Sequence, residues 1–202
     1  MGELNIFNLN NFLTEHNCIN YVETGTGRGD CLNHALDYKF NNYYSIDLDG
    51  DLIKQARRNF PQENIEFIHN YSSEALKDLL PSLPKEEPIL FFLDAHFPGA
   101  DFGKMSYEQS IREFKSEAFP LLNEIKIIKK YRDISKDCFI IDDWKLYDKT
   151  QNYEMGGWNY EDLQKELNLI TNGDVILNEF KNTHNHKVKL RHQGFLFVTP
   201  KI

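Results

Sequence analysis

Short apolar runs alternate with amphipathic stretches along the chain, and each apolar run predicts a strand. Ile19–Val22, Tyr43–Ile46, Ile65–Ile68, Ile89–Leu93 and Phe139–Ile141 are the first five. Ile89–Leu93 is five apolar residues in a row, which fits a central strand buried on both faces. Between the runs the period lengthens to that of a helix. The pattern predicts helices over Leu4 to His16, Cys31 to Phe40, Asp51 to Phe60 and Ser73 to Leu80, with Ser72 or Ser73 as the N-cap of the last. Pro120 fits the first turn of a further helix, whose apolar face is Leu121, Leu122, Ile125 and Ile128.

The remaining third is less regular. Phe97 to Ala118 shows no clear period, and Trp144 to Trp158 reads as a loop hinged at Gly156-Gly157. A helix is expected over Tyr160 to Ile170, then strands over Val175–Phe180 and Phe195–Thr199. The polar segment between those two strands is too short for a helical crossover, so they should pair antiparallel. His184-Asn185-His186 falls in that segment and reads as surface loop. Alternating strands and helices imply a single α/β domain over residues 1–202, with a doubly wound, mainly parallel sheet of seven strands and an antiparallel C-terminal hairpin.

Composition narrows the class of partner. The chain has 202 residues, 41% hydrophobic and 27% charged, enough for a substantial core. No segment reaches the roughly 20 apolar residues that span a bilayer. The first residues carry no basic stretch ahead of an apolar run, so no secretory leader is expected. Three cysteines, Cys18, Cys31 and Cys138, lack paired ligand spacing and suit a reducing cytoplasm. The net charge of −8 disfavours a protein that grips nucleic-acid phosphates.

The candidate chemistry lies where the acids fall. Glu23, Asp47, Asp94 and the pair Asp142-Asp143 sit at the ends of four of the five parallel strands. In a parallel sheet those ends share one edge, and open α/β sheets bind ligands there. After the first strand comes Glu23-Thr-Gly25-Thr26-Gly27-Arg-Gly29, a turn in which glycines let a ligand lie against bare backbone. The dinucleotide fingerprint would need a glycine where Asp30 stands, which argues against an NAD-linked oxidoreductase. Asp47, roughly 20 residues past the turn, has the position of an acid that binds ribose hydroxyls, while Asp49 suits a helix cap.

The Glu23–Gly29 segment resembles motif I of the class I S-adenosylmethionine-dependent methyltransferases. The resemblance implies a Rossmann-like fold, S-adenosylmethionine as cofactor, and a loop wrapped around its methionine part. Glu23 would then help to hold the amino group, directly or through water, and Ser72 or Asn70 would lie beside the adenine. The Asn/Asp-Pro-Pro-aromatic motif of many amino-methylating enzymes is absent, since the fourth strand ends in Asp94-Ala-His96-Phe. One acid after that strand plus Asp142-Asp143 after the next resembles the metal-dependent O-methyltransferases of the macrolide-sugar and catechol types. That implies Asp94, Asp142 and Asp143 as ligands of Mg²⁺ or another divalent cation, with His96 as general base. His96 could instead be a metal ligand or a substrate hydrogen-bond donor.

The acceptor implied is a hydroxyl on a sugar or other small metabolite, free or attached to a glycan. Residues 97–118 and 144–158 are candidate substrate loops, with Trp144 and Tyr147 able to stack on a ring or to pack the loop. The competing readings are a metal-independent methyltransferase acting on protein or RNA, and a nucleoside-binding module without catalysis.

Overall fold

A computed structural model describes residues 3–148 and 173–201. Seven strands form one sheet: β1 (Asn20–Thr24), β2 (Asn42–Asp47), β3 (Ile65–His69), β4 (Ile89–Leu93), β5 (Cys138–Ile141), β6 (His184–Lys189) and β7 (Phe195–Pro200). Their order is β3-β2-β1-β4-β5-β7-β6. β1 to β5 run parallel, and β7 lies antiparallel between β5 and β6. The chain leaves β1 toward β2 and β3 on one side, then returns to start β4 and β5 on the other. That reversal between β1 and β4 is the switch point where open α/β sheets leave a crevice.

Both faces of the sheet are covered. One carries Val22, Ile46, Phe91, Leu93, Phe139, Ile141 and Val198 under helices α4 (Ser72–Leu79), α6 (Leu121–Tyr131) and α7 (Gly173–Phe180). The other carries Tyr21, Tyr43, Phe67, Leu90, Phe92, Ile140 and Phe195 under α2 (Asp30–Ala35), α3 (Gly50–Asn59) and the N-terminal segment. The two sets alternate along each strand, as the period of two requires. No helix among the described residues is long and apolar enough to cross a membrane.

The opposite, N-terminal edge of the sheet is closed by a buried ion pair. Both Arg132 Nε and a terminal nitrogen reach the Asp137 carboxylate at 3.1 Å. The guanidinium also donates to the carbonyls of Pro84 and Glu87. Asp137 accepts the Ile89 N–H at 2.9 Å, and its carbonyl meets His184 Nε2 at 2.9 Å. Burial raises the Asp137 carboxyl, and Arg132 opposes that rise.

The structure departs from the sequence pattern at several points. Val175–Phe180 is not a strand: Gly173, Ile176 and Phe180 are the buried positions of α7, at helical spacing. The hairpin partner of β7 is β6, so His184 and His186 are in a strand rather than a loop, and His184 is buried. β6 escaped notice because an edge strand can be polar; it carries Lys187 and Lys189. The N-terminal helix is split into a 3₁₀ turn (Leu4–Ile6) and α1 (Asn10–Thr14), with Asn8 Oδ1 taking the Asn10 N–H between them. α2 stops at Ala35 instead of running to Phe40. Tyr71, not Ser72 or Ser73, occupies the N-cap of α4. The helix expected over Tyr160 to Ile170 and most of the 144–158 loop lie outside the described residues.

Candidate active site

The turn after β1 is shaped by left-handed backbone that favours glycine. Gly25, Gly27 and Gly29 have φ of 88°, 53° and 84°. At Gly25 space is lacking as well, because a Cβ would stand 2.7 Å from the Asp94 carbonyl oxygen. β4 therefore presses against the turn, bringing Asp94 to the same place. The turn is tied to β2 by N–H bonds from Gly25 and Thr26 to the Ile46 carbonyl, at 2.8 and 3.2 Å.

Below the turn runs a buried chain of hydroxyls. Tyr21 Oη and Ser45 Oγ donate to the two oxygens of Glu23 at 2.8 and 2.6 Å. With its proton given to Glu23, Ser45 accepts from Thr26 Oγ1 at 2.7 Å. Burial pushes the Glu23 carboxyl up to about 7, although both hydroxyls favour its charge. Asp47 closes β2 with Oδ2 on the Gly27 N–H (2.9 Å) and Oδ1 on the Asp49 N–H (2.7 Å). Asp49 caps α3 through the N–H groups of Asp51 and Leu52.

A cavity of about 340 Å³ opens at this edge of the sheet. It is lined by Gly25, Thr26, Gly27, Asp47, Ser72, Asp94 and His96, all singled out in the sequence. Glu23, Gly29, Asp142 and Asp143 stand outside the lining. The lining also includes Arg28 and Asp30 from the turn, and Asp101, Phe102, Lys104 and Glu117 from the 97–118 stretch, none of which the sequence marked individually as a site residue. Several come from the stretch after β4, which contains α5 (Tyr107–Phe114). The sequence pattern missed this helix; the signal that would have found its start is Ser106 followed three residues later by Gln109, a reciprocal capping box in the structure.

The loop between β4 and α5 forms one wall of the cavity. Lys104 Nζ pairs with Asp49, and the Arg28 guanidinium lies 5.9 Å from the Phe102 ring centre. Phe97 anchors the loop's start, buried edge-on against Tyr107 and Phe119. Trp144 and Tyr147 are buried in the core and pack their segment onto the domain.

At the ends of β4 and β5 four titratable side chains converge. His96 Nδ1 lies 3.0 Å from the Asp94 carbonyl oxygen, and its Nε2 lies 2.5 Å from Asp143 Oδ2. Asp94 Oδ1 is buried and has no hydrogen-bond partner among the described residues. Asp142 Oδ1 accepts the Asp143 N–H at 2.7 Å. Asp143 is left-handed, with φ 51° and ψ 37°. Burial, and then the charge of Asp142, raises the Asp94 carboxyl well above its ordinary value. Burial and the charge of Asp143 push Asp142 to about 7. Burial alone would lower His96, but the charge and hydrogen bond of Asp143, then Asp94, outweigh it and push the imidazole up to about 10. One ligand atom from each of Asp94, His96 and Asp143 lies within 4.8 Å of the others, a spacing one cation can bridge.

No protein-family model matches the chain, and no curated protein matches it in sequence. Solved structures do match in fold. One described as a caffeoyl-CoA O-methyltransferase from Staphylococcus aureus superposes with a TM-score of 0.61 at 12% identity, covering 100% of this chain and 85% of its own. A Podospora anserina methyltransferase with SAH bound gives 0.57 at 13%, covering 94% and 75%. An rRNA methylase from Streptococcus thermophilus gives 0.52 at 14%, covering 100% and 99%. The fold is that of the class I S-adenosylmethionine-dependent methyltransferases. The names of these neighbours run from a thioester to ribosomal RNA, so the likeness carries the fold and no particular substrate.

Proposed function

We propose that the protein is an S-adenosylmethionine-dependent methyltransferase that methylates a hydroxyl on a sugar or other small metabolite, with a divalent cation, Mg²⁺ or another, at the ends of β4 and β5. One observation carries this reading. A single cavity at the switch point joins the glycine turn and Asp47 to Asp94 and His96. Candidate cofactor determinants and candidate reaction chemistry thus share one cavity.

In this reading Gly25, Thr26, Gly27 and Gly29 present backbone to the methionine part of the cofactor. Glu23 acts from beneath, holding Thr26 through Ser45. Asp47 accepts from the ribose hydroxyls, and Ser72 lies beside the adenine. The cofactor supplies a methyl group made electrophilic by its sulfonium. The unpartnered Asp94 oxygen and the neighbouring carboxylates of Asp142 and Asp143 fit a divalent ion, which supplies Lewis acidity that lowers the pKa of an acceptor hydroxyl. Asp94, which lines the cavity, would also face the reacting centre. His96 touches both Asp94 and Asp143, and could take the acceptor proton only once Nε2 leaves Asp143. A cavity shared by donor and acceptor would align them, which is the main source of rate in a direct displacement.

Calorimetric titration of S-adenosylmethionine, in chelator and then with divalent ion, tests the reading. Binding is expected in both conditions, and Asp47→Ala should weaken it by roughly tenfold or more, the scale of a lost hydrogen bond to a charged group. No binding by the folded protein would overturn it. A competing reading, a metal-independent methyltransferase acting on protein or RNA, is distinguished by activity that survives chelation.

A further inference from the structure

We propose that His96 is itself a ligand of the divalent ion, together with Asp94 and Asp143, and that this set of one imidazole and two carboxylates selects a first-row transition ion over Mg²⁺. The inference rests on the metal-assisted reading above and changes its ligand set, since Asp142 is replaced by His96.

The orientation of the imidazole comes first. A carbonyl oxygen only accepts, so the 3.0 Å contact to the Asp94 carbonyl puts the ring hydrogen on Nδ1. In the neutral ring Nε2 then carries the lone pair. A metal-binding histidine characteristically donates its other N–H to a carbonyl or carboxylate, which fixes the tautomer and aims the free nitrogen. Here Nε2 is aimed at Asp143 Oδ2, 2.5 Å away. A lone pair against a carboxylate is repulsive unless a cation lies between or beside them. A proton can fill that role, and so can a metal ion once the carboxylate turns to share it.

The second observation is independent of the histidine's hydrogen bonds. The Asp94 side chain is 9% exposed, and its Oδ1 has no hydrogen-bond partner among the described residues. It lies 3.4 Å from His96 Nδ1, a nitrogen already spent on the carbonyl. A buried carboxylate oxygen without a donor is costly, and coordination would satisfy it.

Asp142 is placed differently. Its Oδ1 takes the N–H of the next residue, bracing Asp143 in a left-handed conformation that a non-glycine residue seldom adopts. Asp142 is therefore a positioning residue that turns Asp143 toward His96. The donor chemistry then decides the ion. Mg²⁺ favours oxygen ligands in a near-ideal octahedron and gives up its waters reluctantly. An imidazole nitrogen shifts preference toward Mn²⁺, Fe²⁺, Co²⁺ or Zn²⁺.

The test uses the full chain stripped of metal with chelator. Mn²⁺ and Mg²⁺ are titrated separately by calorimetry, and the Mn²⁺ form is examined by pulsed electron paramagnetic resonance with natural and ¹⁵N-labelled histidine. Tighter binding of Mn²⁺ than of Mg²⁺ is expected, with a histidine nitrogen coupled to the ion. That spectroscopic readout needs no variant. His96→Ala, checked for folding by circular dichroism, should lose the nitrogen coupling. It should also weaken Mn²⁺ by at least about tenfold, the scale of losing even an outer partner of a metal ligand. Asp142→Asn should keep the coupling. An ion bound through oxygen alone, with His96→Ala unchanged, would overturn the inference and leave the metal-assisted reading standing. No divalent ion bound at millimolar concentration would overturn both, while binding of S-adenosylmethionine would still report on the methyltransferase reading by itself.

Discussion

Glu124 on α6 is buried under the sheet edge, and its Oε1 has no hydrogen-bond partner among the described residues. Burial pushes its carboxyl up to about 7 from 4.5, although the Ser72 and Thr24 hydroxyls favour the charged form. A carboxyl whose pKa is raised by folding holds its proton in the native state after the unfolded chain has lost it. Its stabilising effect is full below about pH 4.5 and is lost as pH rises to about 7. A shift of that size corresponds to on the order of 3 kcal/mol. Glu124→Gln should therefore be more stable than the parent at pH 8 and similar at pH 4, with a flatter profile between. Thermal melts across that range check it; a parallel loss at every pH would mean the carboxyl is needed for packing alone. Glu23 shares the same raised value, but its two hydroxyl donors make it a support of the glycine turn.

Among the elements, the N-terminal ends of β4 and β5 depend on one side chain. Arg132 satisfies Asp137 and the carbonyls of Pro84 and Glu87 together. Removing one member of a buried pair leaves the other charge unpaired, at a cost of roughly 3–5 kcal/mol. Arg132→Ala should lose about that much in urea unfolding. Arg132→Met with Asp137→Leu should recover part of it, since an apolar replacement of both partners removes the unpaired charge. The strands these groups anchor were legible because β4 and β5 are buried on both faces and read as unbroken apolar runs. Gly25, Gly27, Asp47 and Asp94 were legible because a parallel sheet puts its strand ends on one edge. The C-terminal elements were not. Asp174–Phe180 mixes apolar and polar residues so that both a period of two and one near four fit, and only packing of Ile176 and Phe180 against α6 and the sheet decides it. The meeting of His96 with Asp143 was equally hidden, because it depends on a left-handed residue that no local pattern announces.

Over the whole molecule, the loop between β4 and α5 lines the cavity and reaches across to its far side. Its ties to the far side are Lys104 with Asp49 and Phe102 with Arg28. Lys104 is 46% exposed, so its pair contributes at most about 1 kcal/mol. Lys104→Ala should raise the dissociation rate of S-adenosylmethionine by up to roughly fivefold, with little change in melting temperature. Stopped-flow displacement measures this; an unchanged rate would place the barrier to exchange elsewhere.

The strand order also bears on how the chain is made. β5 is four buried apolar residues, and its outer neighbour is β7, which begins at Phe195. On the ribosome, β5 leaves the tunnel well before that neighbour exists. For the interval the nascent sheet ends in an open, sticky strand, a template for pairing with other chains. Synthesis speed through the segment between β5 and β7, and the chaperones present there, should therefore influence the yield of native protein.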